Sequence, residues 1–208
     1  PDGVIDDYDK TNIGSPMPKF TFGWTNTFRY KNFDLSVFIN GSYGNKVYNY
    51  LSMKLTHMNS PWTNQLNAVN GRAQLVPINP NKVYEDGTMW YNDVSNVMVA
   101  NPGASIPRAT INDPNDNDRI SDRYIEDGSY IRLKNISLGY TFPKKTIDKL
   151  GLSNLRIYAN IQNLLTITGY DGYDPEIGAS TSSVNVYGLD NGRYPSPTVY
   201  SFGLNVSF

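Results

Sequence analysis

The chain has 208 residues, with 18 Lys plus Arg against 19 Asp plus Glu, one histidine and no cysteine. A net charge of −1 argues against a nucleic-acid surface, which needs a basic excess. Without cysteine there is no disulfide framework, thiolate zinc site or cysteine nucleophile, and a single His57 excludes the two-histidine zinc motifs.

The opening, Pro1-Asp2-Gly3-Val4-Ile5-Asp6-Asp7, has no initiator Met, basic n-region or apolar h-region, and reads as the middle of a longer protein. Asp2-Gly3-Val4-Ile5-Asp6-x-x-Asp9 matches the second half of a calcium loop whose first ligands would precede Pro1. No cofactor or metal is expected: the favoured reading is a solvated acidic loop, with bound calcium as the alternative.

Period-2 alternation begins at Lys19. Phe20, Phe22, Trp24, Phe28 and Tyr30 share one face with Asn26, and Thr21, Gly23, Thr25, Thr27 and Arg29 the other, which predicts a strand over 19–31. After Lys31-Asn32, Phe33, Leu35, Val37 and Ile39 oppose Asp34, Ser36 and Asn40, with Phe38 breaking the polar face. The two runs predict a tight hairpin.

From about Asn45 to Glu126 no strand is predicted. Val47, Tyr50, Leu51, Lys54, Leu55 and Met58 recur at helical spacing before Ser60-Pro61, which predicts a short helix in a long loop. The longest apolar run, Val97-Met98-Val99-Ala100, is too short for a transmembrane helix.

A third strand ends with Ile136, Leu138, Tyr140 and Phe142 opposite Asn135, Ser137, Gly139 and Thr141, and Pro143 stops it. A fourth, 155–168, sets Leu155, Ile157, Ala159 and Ile161 against Arg156, Tyr158, Asn160 and Gln162. A fifth, 198–208, sets Tyr200, Phe202, Leu204, Val206 and Phe208 against Val199, Ser201, Gly203, Asn205 and Ser207.

A β-sandwich also alternates. The polar faces, however, carry Gly, Ser, Thr and Asn rather than the Lys and Glu of a soluble exterior, and the apolar faces are rich in aromatics. Runs of about 10–13 residues match a tilted membrane-spanning strand, so the pattern favours a transmembrane barrel over a sandwich. Connections are short at Lys31-Asn32 and at 143–154, and long at 45–126 and 169–197, as an outer-membrane barrel has short periplasmic turns and long extracellular loops.

A motif recurs on three strands that a meander would make parallel in direction: Thr21-Phe22-Gly23-Trp24-Thr25, Ser137-Leu138-Gly139-Tyr140-Thr141 and Ser201-Phe202-Gly203-Leu204-Asn205. Ser201-x-Gly203-x-x-Val206-x-Phe208 resembles the C-terminal signal by which outer-membrane barrels are recognised for insertion.

The run IEDGSYIRLKNISLGYTFP, Ile125 to Pro143, closely resembles the C-terminal region of SusC/RagA-type TonB-linked outer-membrane transporters. So do the segment from Asp2 to Asn49, LRIYANIQNLLTITGYDGYDPEIG from Leu155 to Gly178, and the terminal YSFGLNVSF. The resemblance covers the chain in order. It implies an all-β fold: residues 1–208 as the C-terminal strands of a 22-stranded, antiparallel, plugged transmembrane barrel, with a short helix in a long extracellular loop. It also implies the outer membrane of a Gram-negative bacterium, a SusD-like surface lipoprotein as lid, TonB acting on an N-terminal region absent here, the remainder of the same barrel and the lipid bilayer as partners, and no nucleic acid.

Catalytic candidates are weak, and no enzyme is expected. Asp171, Asp174 and Glu176 lie close together, but neither the spacing nor the cleft of a glycosidase acid pair is visible. Asp113-x-Asn115-x-Asn117 has a calcium-loop flavour, with Tyr124 where the bidentate acid belongs, and reads as a turn-rich loop. His57 reads as a surface residue. The sequons at Asn135 and Asn205 fall in strands and are incidental. Candidate loop recognition residues are Trp62, Trp90, Tyr91, Tyr170, Asp171, Tyr173 and Asp174; such loops could hold sugars or pack against a lid. The expected function is energy-coupled import of oligosaccharides or oligopeptides. The alternatives are a passive porin or structural barrel, and a soluble β-sandwich glycan-binding module.

Overall fold

A computed structural model describes residues 5–113, 115–177, 179–180 and 183–208. Asp2, Gly3 and Val4 of the N-terminal acidic motif lie outside them. In chain order come β1 (Phe20–Tyr30), β2 (Phe33–Tyr43), β3 (Lys46–Asn49), α1 (Tyr50–Thr56), β4 (Leu75–Pro77), β5 (Val97–Val99), β6 (Ile125–Asp127), β7 (Tyr130–Thr141), α2 (Lys144–Ile147), β8 (Asn154–Thr168), β9 (Ala179–Ser180), β10 (Ser183–Tyr187), β11 (Leu189–Asp190) and β12 (Val199–Ser207). They fall into two units: residues up to Thr11 with Tyr50–Tyr124, and Asn12–Asn49 with Ile125–Phe208.

The second unit is built on one antiparallel meander, β1-β2-β7-β8-β12. All five strands expected from alternation are present, and the three motif strands β1, β7 and β12 do run in one direction. Lys31 adopts φ 53°, the left-handed geometry that a two-residue hairpin turn requires. Directly opposed residues share a face, so the register carries each face across the sheet. One apolar row runs Phe28, Leu35, Leu138, Ala159, Phe202; the next runs Tyr30, Phe33, Tyr140, Ile157, Leu204. This face is uncovered: Trp24 is 55% exposed and Phe202 84%. Aromatic rings gather at both ends of the hairpin, Phe20 against Tyr43 with centroids 5.3 Å apart, and Phe33 against Tyr140 at 4.7 Å.

The alternation of β7 slips at Lys134. Ile131 and Leu133 share the apolar face with Ile136 and Leu138 only because the register shifts between Leu133 and Asn135, opposite Phe38 and Ile39. This bulge places Lys134 with Arg132 on the polar face. Across β7 and β8 it is met by Asn163, at φ 52°.

The polar face explains the repeated motif. Each motif glycine lies beneath a large side chain of a neighbouring strand: Phe38 over Gly23, Arg156 with Asp34 over Gly139, and the Tyr158 ring over Gly203. A Cβ on Gly23 would stand 3.2 Å from the Phe38 ring, and at the other two the approach is closer still. Over Gly139, Arg156 Nη2 donates to Asp34 Oδ2 at 2.6 Å and Nε to Oδ1 at 3.2 Å. Phe38, the residue that interrupts the polar alternation, is therefore the partner that Gly23 accommodates.

Beside the main sheet, β3 pairs antiparallel with β6 and parallel with β11, and β9 pairs with β10. The expected helix began at Val47; instead Val47 is a fully buried strand residue opposite Glu126, and α1 starts at Tyr50. A buried β-branched residue with a ladder partner gains more from the sheet than from the first turn of a short helix. Met58 lies beyond the helix.

In the first unit α1 is accompanied by the β4–β5 pair and by 3₁₀ turns at Asn67–Gly71, Trp90–Asn92 and Asp122–Tyr124. The long loop is thus more ordered than its sequence suggests. Polar bonds hold much of it: buried Asn96 donates to Asn79 O at 3.1 Å and Tyr84 Oη at 2.9 Å, and its Oδ1 accepts from Asn79 N at 2.8 Å.

The glycine geometry gives a test. Gly203→Ala should destabilise the folded full-length protein by about 1–3 kcal/mol through overpacking against Tyr158. In Tyr158→Ala the same substitution should cost almost nothing, and the double-mutant cycle in urea unfolding measures that coupling.

Candidate functional site

At one end of the polar face a cavity of about 740 Å³ opens between strand residues Thr21, Ser42, Tyr130 and Lys134 and the chain around Asp174–Ile177 and Arg193–Pro197. Arg132, 2% exposed, organises its wall. Its Nη2 bonds Asp174 Oδ1, its Nη1 donates to Glu176 Oε2 at 2.6 Å and its Nε to Thr166 Oγ1 at 2.8 Å. Lys134, placed by the bulge, donates to the same Glu176 oxygen at 2.8 Å. Asp174 also accepts from the backbone of Glu176 and Ser196, each at 2.9 Å. A buried guanidinium is tolerable because two carboxylates and a hydroxyl accept hydrogen bonds from its three nitrogens.

This network corrects two sequence expectations. Asp174 and Tyr170 were candidates for ligand recognition, yet both are buried and engaged within the protein. Tyr170 Oη donates at 2.5 Å to Asp190, which is 1% exposed and accepts from Gly192 N at 2.9 Å. Burial and the Asp190 hydrogen bond both push the Tyr170 phenol up, so it stays neutral. These side chains fix the 170–177 segment; Asp171 and Tyr173 are the ones it exposes. Asp171 is tethered through its backbone N to Glu126 Oε2 at 2.9 Å.

In the first unit Trp62 is exposed, whereas Trp90 and Tyr91 meet edge to face at 5.7 Å and line a groove of about 900 Å³ with Arg72 and Arg108. Trp62 is not among that groove's lining residues. The arginines were missed because one aromatic-rich loop gives no signal for which distant basic residues it meets.

His57 also corrects the sequence reading. It is not a surface residue: its side chain is 10% exposed and Nε2 lies 2.8 Å from Asp113 Oδ2. Asp113 accepts from Asn117 N and Nδ2 as well, so its carboxylate is engaged by the nearby chain. Burial pushes the Asp113 carboxyl up, but the bonds from Asn117 and His57 outweigh it and the net shift is downward. One ligand atom each of His57, Asp113 and Asp118 fall within 4.8 Å of one another, a spacing compatible with a cation, but both Asp113 oxygens already serve as hydrogen-bond acceptors. At the N-terminus Asp6 accepts from Tyr8 N, and Asp9 accepts from Asp6 N, a reciprocal cap that turns both carboxylates onto local backbone.

The terminal motif lies on β12. Ser201 and Gly203 take the polar face, Val206 the apolar one opposite Leu155, and Phe208 is 93% exposed just past the strand.

No family model matches the chain. It is 36% identical over 211 residues to TonB-dependent receptor P3 of Formosa agariphila, covering 99% of the chain and 18% of the relative. It is 29% identical to TonB-dependent receptor SusC of Bacteroides thetaiotaomicron, covering 99% of the chain and 17% of the relative. The RagAB peptide importer in its closed-closed state superposes with a TM-score of 0.65 at 20% identity, over 95% of this chain and 18% of that one. The open-open state gives 0.63 at 18% identity, over 99% and 20%. The chain therefore spans under a fifth of the curated relatives reported, and shares its fold with part of the importer. Both curated relatives bear receptor names rather than enzyme names, in keeping with the non-enzymatic reading.

Burial pushes the Asp174 carboxyl up, but Arg132 and the amides of Ser196 and Glu176 outweigh it, so it sits below the ordinary range. A carboxylate lowered by folding adds stability above its ordinary pKa of about 4 and loses it as the pH falls through the lowered value. Acidification through that lowered value, below the ordinary carboxylate range, should therefore release the 170–177 segment to proteolysis. Asp174→Asn should make the segment protease-sensitive at pH 7 and remove that acid step.

Proposed function

We propose that this chain, similar across nearly its whole length to TonB-dependent receptors that include SusC, is the C-terminal barrel portion of a SusC/RagA-type TonB-dependent outer-membrane importer of oligosaccharides or oligopeptides. The observation that carries this reading is the uncovered, mainly apolar face running across β1, β2, β7, β8 and β12, with polar Gly, Ser, Thr and Asn rows behind it. A bilayer covers such a face, and an aqueous lumen hydrates the other. The open edges of β1 and β12 take the remaining strands of the barrel, because unpaired backbone groups are not tolerated in lipid.

In this reading Phe20, Phe22, Leu35, Val37, Leu138, Tyr140, Phe202 and Leu204 face lipid, and Thr21, Ser36, Gly139, Ser201 and Gly203 face the lumen. A SusD-like surface lipoprotein meets the long loops, where Trp62, Trp90, Tyr91, Asp171 and Tyr173 offer contacts, and TonB acts through the region upstream of this chain. Ser201, Gly203, Val206 and Phe208 form the recognition signal for barrel insertion. Transport needs no catalytic group; it needs a cavity and a difference in affinity between open and closed states.

Uptake by cells carrying the full-length protein tests the function. It should vanish without TonB or without the proton gradient; uptake unchanged by either loss leaves a passive porin. The amount of folded protein in the outer membrane tests the faces. Leu204→Arg should lower it far more than Ser201→Arg, at a cost of about 2–4 kcal/mol, and removal of Phe208 should also lower it.

A further inference from the structure

The groove in the first unit has an unusual charge composition. Six of its side chains, Arg72, Gln74, Trp90, Tyr91, Asn92 and Arg108, supply two guanidiniums, two amides and two aromatic rings, and no carboxylate lines it. Arg72 and Arg108 are half-buried. Arg72 makes one long bond to Val69 O, 3.3 Å, and neither arginine forms an ion pair among the described residues.

The acids nearest in sequence are committed elsewhere. Asp93 accepts from Lys82 at 2.5 Å, Tyr84 at 2.9 Å and Ser95 at 2.6 Å, and Asp113 from His57 and Asn117. The groove's backbone is itself tied down: Ala73 N donates to Ile106 O at 2.9 Å and Asn101 Nδ2 to Arg72 O at 2.9 Å. Two partly desolvated cations on a fixed frame, with no internal counter-ion, are arranged to receive an oxyanion from outside.

We infer that this groove binds a saccharide bearing oxyanions, as uronate carboxylates or sulfate esters. The inference rests on the import reading and names its substrate class. A guanidinium presents two parallel N–H donors to either oxyanion. Gln74 and Asn92 both donate and accept, which matches ring hydroxyls. Trp90 and Tyr91, set edge to face, offer an apolar ring surface to a pyranose. A chain of acidic residues would satisfy the arginines and could bond the amides through its backbone, but it offers no ring face to Trp90 and Tyr91.

The test uses the full-length transporter in detergent, with calorimetric titration of three matched probe pairs: oligogalacturonate against its methyl ester, sulfated against desulfated galactan oligomers, and oligoglutamate against oligoglutamine. Preference for the charged member of either sugar pair is expected, and which pair shows it separates uronate from sulfate. Arg72→Gln and Arg108→Gln should each weaken that binding about ten- to a hundredfold and flatten its salt dependence, leaving neutral sugars unchanged, while Arg108→Lys recovers part of the loss. Equal binding within both sugar pairs, preference for oligoglutamate alone, or insensitivity to both Gln variants overturns the inference. TonB-dependent uptake of a neutral sugar with no charge preference sinks this inference but leaves the import reading standing. Arginine-dependent binding of an acidic sugar without energy-coupled uptake does the reverse.

Discussion

Everything in the larger unit follows from the need of each strand to keep one face apolar and the other polar while staying in register with two neighbours. In an antiparallel ladder a one-residue slip would turn every side chain to the wrong face. The sheet resolves the break in parity between Leu133 and Ile136 by a bulge rather than by accepting Lys134 among Leu and Ile. The same displaced residue then supplies a second cation to Glu176. A local correction of register thereby places charge beside the cavity, and backbone geometry precedes site chemistry.

The second consequence is on the polar face, where small and large residues have to alternate between strands as well as along them. Arg156 and Tyr158 lie flat over Gly139 and Gly203 because no Cβ stands beneath them. Flattening keeps the Arg156–Asp34 pair close to the wall instead of projecting from it. The glycines weaken the strands intrinsically, and the side chains packed on them offset part of that weakness. A motif that looks like a string of small residues in one strand is half of a packing arrangement whose other half lies on the next.

That division explains what could be read from sequence. Strand existence and the assignment of faces were legible because alternation is local, and the hairpin because its turn is two residues long. The resemblance of Ile125–Pro143 and the terminal segment to SusC/RagA-type transporters was legible for the same reason: long patterned strands carry many constrained positions. What failed was non-local. Val47 fits a helix by spacing and a strand by its partner Glu126. His57 is 56 positions from Asp113, Arg132 is 42 from Asp174, and Tyr170 is 20 from Asp190. Only contact with those partners turns an apparently exposed polar residue into a buried one. The aromatic and acidic loop residues chosen as candidates thus included two, Tyr170 and Asp174, that hold the loop together.

The arginines of the two units can be compared by the same electrostatic reasoning. Arg132 is nearly inaccessible, and its charge is met by Asp174 and Glu176. Removing either carboxylate would leave a buried cation short of partners, so its role is to fix structure. Arg72 and Arg108 are only half-buried, and no carboxylate of the described protein meets them. Partial solvent access makes that state tolerable without a ligand, and partial burial makes an incoming oxyanion worth more than it would be on an open surface. A guanidinium fully paired inside the protein has little capacity left for a solute, whereas one held on a rigid frame without a counter-ion keeps that capacity. Burial together with pairing, rather than residue type, separates the arginine that builds the wall from the two that keep capacity for an external oxyanion.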